Sequence, residues 1–163
     1  MQWEDFKNLI INNLSDDLLS KQYVQLRRSN PELPNCFGHC YVASEAAYYL
    51  LGGREDGWQP CYVKHLGASH WYLKHTSGAI LDLTSEQFQS PVAYERGGGK
   101  GFLTQKPSKR AKLLLQRIAD SSDWLNLKMG GGVDFNFSEI ILTEIAHREG
   151  KLNSKFDNLN NIR

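Results

Sequence analysis

The segment NCFGHCYVASEAAYYLLGG, residues 35 to 53, restricts the fold of this chain more than any other stretch. From Cys40 onward its apolar residues recur with a period near 3.6, which is typical of a helix with one buried face. Gly52 and Gly53 are expected to end this helix, because glycine is common just beyond a helix C-terminus. The repeated alanines predict a central helix that packs closely against its neighbours. The apolar positions are Val42, Ala43, Ala46, Ala47, Leu50 and Leu51.

Three β-like segments follow this helix. They are WQPCYVKHL, SHWYLKH and AILDL, and the intervening GA and TSG are short enough for antiparallel hairpins. The pattern predicts an α+β fold, with the alanine-rich helix packed on an antiparallel β-meander. Flanking helices are predicted at WEDFKNLIINNL, at DDLLSKQYVQLRR after Ser15, at KRAKLLLQRIA after Ser108, and at EIILTEIAHRE between Ser138 and Gly150.

The remaining segments are predicted to be irregular. RGGGKG and MGGGVDFNF are interpreted as loops, and RGGGKG lacks the G-x-x-x-x-G-K-[ST] spacing of a phosphate-binding loop. A chain of 163 residues fits one domain, which we place at residues 1–150. The polar, asparagine-rich residues 151–163 are expected to form a loosely held tail.

Composition and the N-terminal residues indicate a cytoplasmic protein. No apolar run approaches the roughly 18 residues that a membrane span requires. The start, MQWEDFKNLIINNLSDD, lacks the basic and apolar regions of a signal peptide. The chain contains three cysteines, an odd number that a secreted disulfide scaffold rarely carries, so free thiols are expected.

Cys40 has the sequence context of a reactive thiol. Unpaired backbone N–H groups and the dipole at a helix N-terminus favour a thiolate. Such a nucleophile needs a general base, and the base needs an acceptor that orients it. His70 is the candidate base and Asp82 the candidate acceptor. Side chains on paired strands can share a hydrogen bond when they face the same side. Asp82 also interrupts an apolar run, where a charge without a partner is costly.

Other roles are open for each of these residues. Cys61 lies in mid-strand and is expected to fill core, whereas Cys36 lies in a loop and is either partly buried or incidental. Asp82 is also compatible with a cap on the turn that follows it. His70 is compatible with an ordinary half-buried strand histidine.

A metal site is a further alternative, which the spacing disfavours. Structural zinc sites usually contain paired, closely spaced ligand clusters. Strand histidines five residues apart face opposite sides of a sheet. The potential ligands are Cys36, His39, Cys40, His65, His70 and His75.

Cys40, His70 and Asp82, in this order, resemble the transglutaminase-like branch of the papain-like cysteine enzymes. That family commonly has a G-x-C helix start, a histidine strand of H-x-W or related form, and an Asp followed by a proline or hydrophobe and then Thr or Trp. The resemblance covers about residues 35 to 88, and it departs from the pattern in having Trp directly after His70 and no proline after Asp82. A weaker similarity is to uncharacterised bacterial and phage-encoded proteins. The matching residues are Gly38-His39-Cys40, His70-Trp71 and Asp82-Leu83-Thr84.

The resemblance implies a thiol-dependent hydrolase or acyltransferase that acts on an amide or acyl bond without a cofactor. Cys40 would attack, His70 would carry the proton and Asp82 would fix the tautomer. Asn35 and the Cys40 backbone N–H are candidate oxyanion donors. A protein or peptide-like substrate is expected, and the candidates for binding substrate or partner are Trp71, Lys109 and Arg110.

A non-catalytic binding protein on the same fold is the alternative function. Residues 96–117 contain no Asp or Glu but seven of the nineteen basic residues, so they are a candidate contact for nucleic acid or an acidic protein. The simpler interpretation is the solvated face of a helix that buries Leu113, Leu114, Leu115 and Ile118. The basic residues are Arg96, Lys100, Lys106, Lys109, Arg110, Lys112 and Arg117.

Overall fold

The computed structural model describes residues 3–121, 141–143 and 145–146. Its helices are α1 (Trp3–Ile11), α2 (Lys21–Ser29), α3 (Cys40–Leu50) and α4 (Lys109–Asp120). Its strands are β1 (Trp58–His65), β2 (Ala68–His75), β3 (Ile80–Leu81) and β4 (Gly98–Gly99). Short 3-10 turns cover Asp16–Leu18, Ser85–Gln87 and Tyr94–Arg96.

The strands form one antiparallel sheet with the order β3, β2, β1, β4. β1 and β2 pair along their whole length with Val63 opposite His70, and β2 pairs with β3 with Leu73 opposite Leu81. Helix α3 packs against β1 and β2, while α1 and α4 pack against α3. The predicted α+β class, with an alanine-rich helix on a small antiparallel sheet, is therefore confirmed.

The alanines of α3 lie at the centre of the core. Ala43, Ala46 and Ala47 are fully buried. Their small side chains allow the sheet, α1 and α4 to approach this helix closely. They share one hydrophobic cluster with Trp58 and Leu73 of the sheet. The close packing predicted from the alanine pattern is confirmed.

The helix predicted over residues 16–28 is interrupted. Asp16–Leu18 form a 3-10 turn, Leu19 and Ser20 are extended, and α2 begins only at Lys21. The adjacent residues Leu18 and Leu19 at this break are 2% and 6% exposed. Ser20 directly before α2 has the extended backbone that is typical of the residue preceding a helix, so α2 starts anew after it.

The glycine-rich segment predicted as a loop contributes strand β4. Gly98 and Gly99 pair with Tyr62 and Cys61 of β1. A Cβ at Gly99 would meet only the flexible end of the Gln59 side chain, and one at Gly98 would meet nothing within 4 Å, so the pairing depends on the backbone and not on the absence of side chains. Strand propensity did not indicate β4, because glycine is depleted in strands.

Some predicted segments lie wholly or partly outside the described residues. The helix predicted between Ser138 and Gly150 is helical at residues 141–143 and 145–146, where Ile141 and Ile145 are buried in the main cluster. The ends of that helix, the loop MGGGVDFNF and the tail at 151–163 are outside the description. Within the part of the chain that is described, no helix is long and apolar enough to cross a membrane.

Candidate active site

Cys40 is the first residue of α3 and the accessible cysteine of the three. All three thiols are free, but Cys36 and Cys61 are buried whereas Cys40 is half-buried. Burial raises the pKa of the Cys36 thiol and of the Cys61 thiol. The expectation that Cys61 fills core is confirmed, and Cys40 is the thiol that a reagent or substrate reaches first.

The turn before α3 determines where the Cys40 thiol lies. Residues 34–39 form two consecutive backbone hydrogen-bonded turns. Gly38 has a φ of +76°, and a Cβ there would lie 2.9 Å from the Tyr23 ring, so only glycine fits without strain. The Cys40 sulfur is 3.9 Å from the carbonyl oxygen of Ser69 on β2. The start of α3 therefore lies beside the beginning of β2, next to His70.

His70 and Asp82 form a buried pair behind the thiol. His70 lies on β2, Asp82 directly follows β3, and Nε2 of His70 is 2.6 Å from Oδ2 of Asp82. Their side chains are 1% and 4% exposed. If the register of β2 and β3 is continued by one residue, Asp82 lies opposite Tyr72. Asp82 is therefore a diagonal cross-strand neighbour of His70. The antiparallel pairing thus brings together the two residues that the sequence predicted as partners.

Three donors hold the Asp82 carboxylate. Oδ2 accepts hydrogen bonds from His70 and, at 2.8 Å, from the Tyr94 hydroxyl. Oδ1 accepts the backbone N–H of Thr84 at 3.0 Å. Asp82 therefore caps the following turn as well as pairing with His70, so the two alternatives from the sequence are both present. Tyr94 was not anticipated, because nothing in its local sequence indicates a carboxylate partner.

The proton chemistry of His70 follows from this arrangement. Burial alone lowers the pKa of His70, but the interactions with Asp82 and Cys40 outweigh burial and raise the pKa to about 9. Nε2 donates to the carboxylate, and Nδ1 has no partner within hydrogen-bonding distance among the described residues. Nδ1 is therefore the ring nitrogen that is left to interact with the Cys40 thiol.

Phe88 and Gln87 support the pair from the segment after β3. The Phe88 ring meets the His70 ring edge to face, with centroids 4.8 Å apart. The Gln87 side chain accepts the Gly38 N–H at 3.3 Å and donates to the Thr84 carbonyl at 2.9 Å. Gln87 thus connects the turn before Cys40 to the segment after Asp82. Sequence reasoning missed both residues, since long-range contacts leave no local pattern.

A cleft of about 500 Å³ opens beside Cys40. Its apolar part is formed by Leu18, Tyr23, Tyr41, Val42, Trp71 and Leu103. Its polar part includes Ser69, Ser108, Lys109 and Arg110. Three residues predicted as binding candidates, Trp71, Lys109 and Arg110, therefore line the same cleft as Cys40. The structure does not bring Asn35 into it.

Asn35 is held elsewhere by Arg27. The guanidinium donates to the Asn35 carbonyl at 3.1 Å and to its side-chain oxygen at 3.4 Å. Asn35 is exposed and does not line the cleft. Its assignment as a candidate oxyanion donor is corrected accordingly, since Arg27 fixes the amide outside the cleft.

The basic segment is divided among different environments. Ala111, Leu114 and Ile118 of α4 are buried, whereas Leu113 is 41% exposed, so the buried stripe is narrower than predicted. Arg117 pairs with Asp17 and donates to Ser15. Lys100 lies 4.7 Å above the Tyr62 ring.

The prediction that Ser108 begins α4 is confirmed, because its hydroxyl accepts the Ala111 N–H at 3.1 Å.

The potential metal ligands do not converge. Within the described residues, no three His, Cys, Asp or Glu side chains are placed to hold a metal ion. The described histidines have separate partners, which are the Ser15 carbonyl for His39, Ser90 for His65, Asp82 for His70, and Ser77 with the Asp56 carbonyl for His75.

The described residues define an α+β domain in which an accessible cysteine at a helix start lies beside a buried His–Asp pair. No family model matches the chain, and no curated protein or solved structure is significantly similar to it.

Proposed function

We propose that this protein is a thiol-dependent hydrolase or acyltransferase that acts on an amide or acyl bond through Cys40, His70 and Asp82. The observation that carries the proposal is the buried His70–Asp82 pair next to an accessible thiol at the start of α3. Removing an ion pair from water is costly, so stability alone is a weak reason for the pair. Activation of a nucleophile gives it a chemical role.

The first half-reaction forms a thioester on Cys40. The proton of the Cys40 thiol resides on His70 Nδ1, and the sulfur attacks the carbonyl carbon of the substrate. The bond to the amine or alcohol then breaks, and the proton passes from His70 to that leaving group.

The second half-reaction releases the acyl group. Water or an acceptor amine attacks the thioester carbon while His70 Nδ1 takes its proton. The carbon–sulfur bond breaks, and the proton remains on His70 Nδ1 beside the sulfur, which restores the starting pair. Hydrolysis and acyl transfer differ only in which nucleophile enters at this step.

Electrostatics support both half-reactions. A His70 pKa of about 9 favours an imidazolium beside the sulfur at neutral pH. Asp82 fixes the tautomer and stabilises the charged ring. The first N–H groups of a helix have no partner within it, so the Cys40 N–H is a candidate donor to the developing oxyanion.

We also propose a family relationship and a cellular location for this protein. The G-x-C helix start, the His-Trp strand and the Asp-x-Thr segment support a relationship to the transglutaminase-like branch of the papain-like cysteine enzymes. A protein or peptide-like substrate follows from that relationship. Three free thiols suit the reducing cytoplasm, where we place the reaction.

Competitive alkylation with iodoacetamide over about pH 5 to 9 tests the proposal, with each cysteine quantified by peptide mass spectrometry. Cys40 is expected to react at least about tenfold faster than the other two near pH 6.5, because it is accessible and paired with an imidazolium. Cys36 and Cys61 are expected to stay protected until the protein unfolds, since both are buried.

His70→Ala is expected to slow Cys40 alkylation near pH 6.5 by about tenfold or more. His75→Ala is the matched control, because His75 lies on the same strand but contacts Ser77 and the Asp56 carbonyl. Equal Cys40 rates in the wild type and His70→Ala would overturn the assignment of the base. An inert Cys40 would overturn the assignment of the nucleophile.

A further inference from the structure

We propose that the substrate of the Cys40 site is an acidic peptide, whose carboxylates bind Lys109 and Arg110 at the mouth of the cleft. This inference rests on the proposed function and adds a class of substrate to it. The cleft of about 500 Å³ lies within the usual range of ligand sites and is large enough for a short peptide segment.

The charged groups of the cleft are all cations. Lys109 and Arg110 are exposed in the first turn of α4, and no Asp or Glu lines the cleft. Within the described residues neither side chain pairs with a carboxylate, whereas Lys7, Arg27 and Arg117 all do. Two neighbouring cations that pair with no carboxylate in the described part of the chain favour an anionic ligand.

The N-terminus of α4 already binds a carboxylate of the protein itself. Glu45, which is fully buried on α3, accepts the Ser108 N–H at 2.8 Å and the Ser108 hydroxyl at 2.7 Å. This carboxylate complements the positive end of the α4 dipole from within the protein. An external anion therefore binds the two long side chains. Because Glu45 belongs to the helix that begins with Cys40, its bonds to Ser108 also tie the start of α4 to α3.

An aromatic wall completes the cleft. Trp71 stacks on Phe102 with ring centroids 5.8 Å apart, and Tyr41 meets Trp71 edge-on at 4.9 Å. The Tyr41 hydroxyl accepts the Leu103 N–H at 2.8 Å, and Leu103 is 82% exposed. An apolar side chain of the peptide would cover this wall and Leu103.

Nucleic acid is the less favoured anion. A polynucleotide gains affinity by neutralising many phosphates with many cations. In the basic segment, Arg117 is paired with Asp17 and Lys100 lies over Tyr62. Two cations beside an aromatic wall suit a short acidic peptide better.

Protection of Cys40 from iodoacetamide tests the inference in the full chain. The acidic peptide acetyl-Glu-Leu-Gly-Glu-amide is compared with the neutral isostere acetyl-Gln-Leu-Gly-Gln-amide, and Cys40 labelling is measured by mass spectrometry. Half-protection is expected at about fivefold lower concentration of the acidic peptide, because exposed charge pairs contribute modestly. The ratio should shrink toward one at about 0.5 M salt, since salt screens such pairs.

In the double variant Lys109→Gln/Arg110→Gln, the concentrations of the two peptides that give half-protection of Cys40 are expected to become nearly equal, so that their ratio is close to one. Lys112→Gln is the matched control, because Lys112 is exposed on α4 but does not line the cleft. A ratio near one in the wild type, or a preference that survives in the double variant, would overturn the inference. Protection by a single-stranded oligonucleotide but not by the acidic peptide would overturn it in favour of nucleic acid.

Failure of this inference is distinguishable from failure of the proposed function. Protection requires no turnover and no contribution from His70. If His70→Ala leaves Cys40 alkylation unchanged while the acidic preference persists, the proposed chemistry is wrong and the peptide site stands. If His70 controls the thiol but the two peptides protect equally, the chemistry stands and the acidic substrate is wrong.

Discussion

The orientation of a single ring decides the chemistry at the residue scale. Nε2 of His70 is committed to Asp82, so Nδ1 is left for the Cys40 thiol. The carboxylate is itself held by Tyr94 and by the backbone of Thr84. A carboxylate held by three donors fixes the ring in one tautomer, which the proposed role of His70 as a general base requires.

Asp82→Asn is expected to slow Cys40 alkylation near pH 6.5 by about tenfold or more while the protein stays folded. An amide can donate to Nε2 of His70, which moves the ring proton to Nδ1, and it does not stabilise the charged ring. The alkylation rate at fixed pH measures the slowing, and a circular dichroism spectrum shows whether the variant is folded. A variant with the wild-type rate would reduce Asp82 to a turn cap.

Tyr94→Phe provides a graded comparison for the same experiment. It removes one of the three donors to Asp82 and keeps the other two, so a smaller slowing of about two- to threefold is expected. Tyr72→Phe is its control, because the Tyr72 hydroxyl donates to the Tyr94 carbonyl and makes no bond to the carboxylate.

The start of α3 is the decisive feature at the scale of elements. His39, the residue before the helix, is fully buried and its Nε2 donates to the Ser15 carbonyl at 3.0 Å. Burial lowers the pKa of His39, which keeps this ring neutral. Gly38 is bonded to Gln87 on the other side. The helix start is thus anchored both to the N-terminal segment and to the segment after the sheet, which positions the thiol.

Gly38→Ala is expected to destabilise the protein by about 2 kcal/mol or more and to slow Cys40 alkylation. The new Cβ would lie 2.9 Å from Tyr23 and 3.1 Å from Leu19, in a left-handed conformation that alanine disfavours. Urea unfolding and alkylation below the unfolding transition measure the two effects.

Gly67→Ala separates backbone strain from crowding. Gly67 has a similar φ of +82°, but nothing lies within 4 Å of the position of its Cβ. We expect a cost of about 1 kcal/mol and no change at Cys40. Equal effects of the two substitutions on Cys40 would mean that the Tyr23 contact does not position the turn.

The site is assembled from separate parts of the domain at the scale of the whole molecule. Cys40 comes from α3, the His–Asp pair from the sheet, and the two cations from α4. Packing of the sheet and α4 on α3 holds these groups together, and the buried alanines make that packing close. A charged imidazole buried in this core also links stability to pH.

Stability is expected to fall as pH rises from about 6.5 toward 9, because folding raises the pKa of His70 above its unfolded value. The stabilisation is fully present below the unfolded pKa and is lost as pH rises through the folded pKa. The Cys40→Ser variant excludes the titration of the thiol, and it also removes the contribution of Cys40 to the raised pKa of His70. The free energy of unfolding of this variant, measured with urea, should therefore fall by less than about 3 kcal/mol across the window, through the part of the shift that Asp82 causes.

The control for this pH dependence is Cys40→Ser/His70→Asn. Its free energy of unfolding should change less between pH 6.5 and 9, because it lacks the titrating ring. The comparison concerns the pH slopes and not the absolute stabilities, since the second variant leaves Asp82 with one donor fewer. Parallel curves would show that His70 does not bind an extra proton in the folded state.

Individual residues show where prediction from sequence ends. The sequence predicted the placement of Cys40 at a helix start and of His70 and Asp82 on neighbouring strands. These placements were predictable because a helix start, two strand patterns and a charge within an apolar run are local signals. Strand β4 was not, since glycine has low strand propensity and these two glycines are extended only because their backbone pairs with β1. Asn35 was assigned to the wrong role, because its proximity in sequence to Cys40 did not reveal the competing bond to Arg27.

The sequence by itself determined the α+β class, the helix that begins at Cys40, and the order of strands that carry His70 and Asp82. These features follow from periodicity and turn residues, which act over a few positions of the chain. Only the tertiary structure decided that the carboxylate also binds Tyr94 and that Lys109 lies at the same cleft as the thiol. Those contacts join residues far apart in sequence, so they depend on how the helices and the sheet pack into one core.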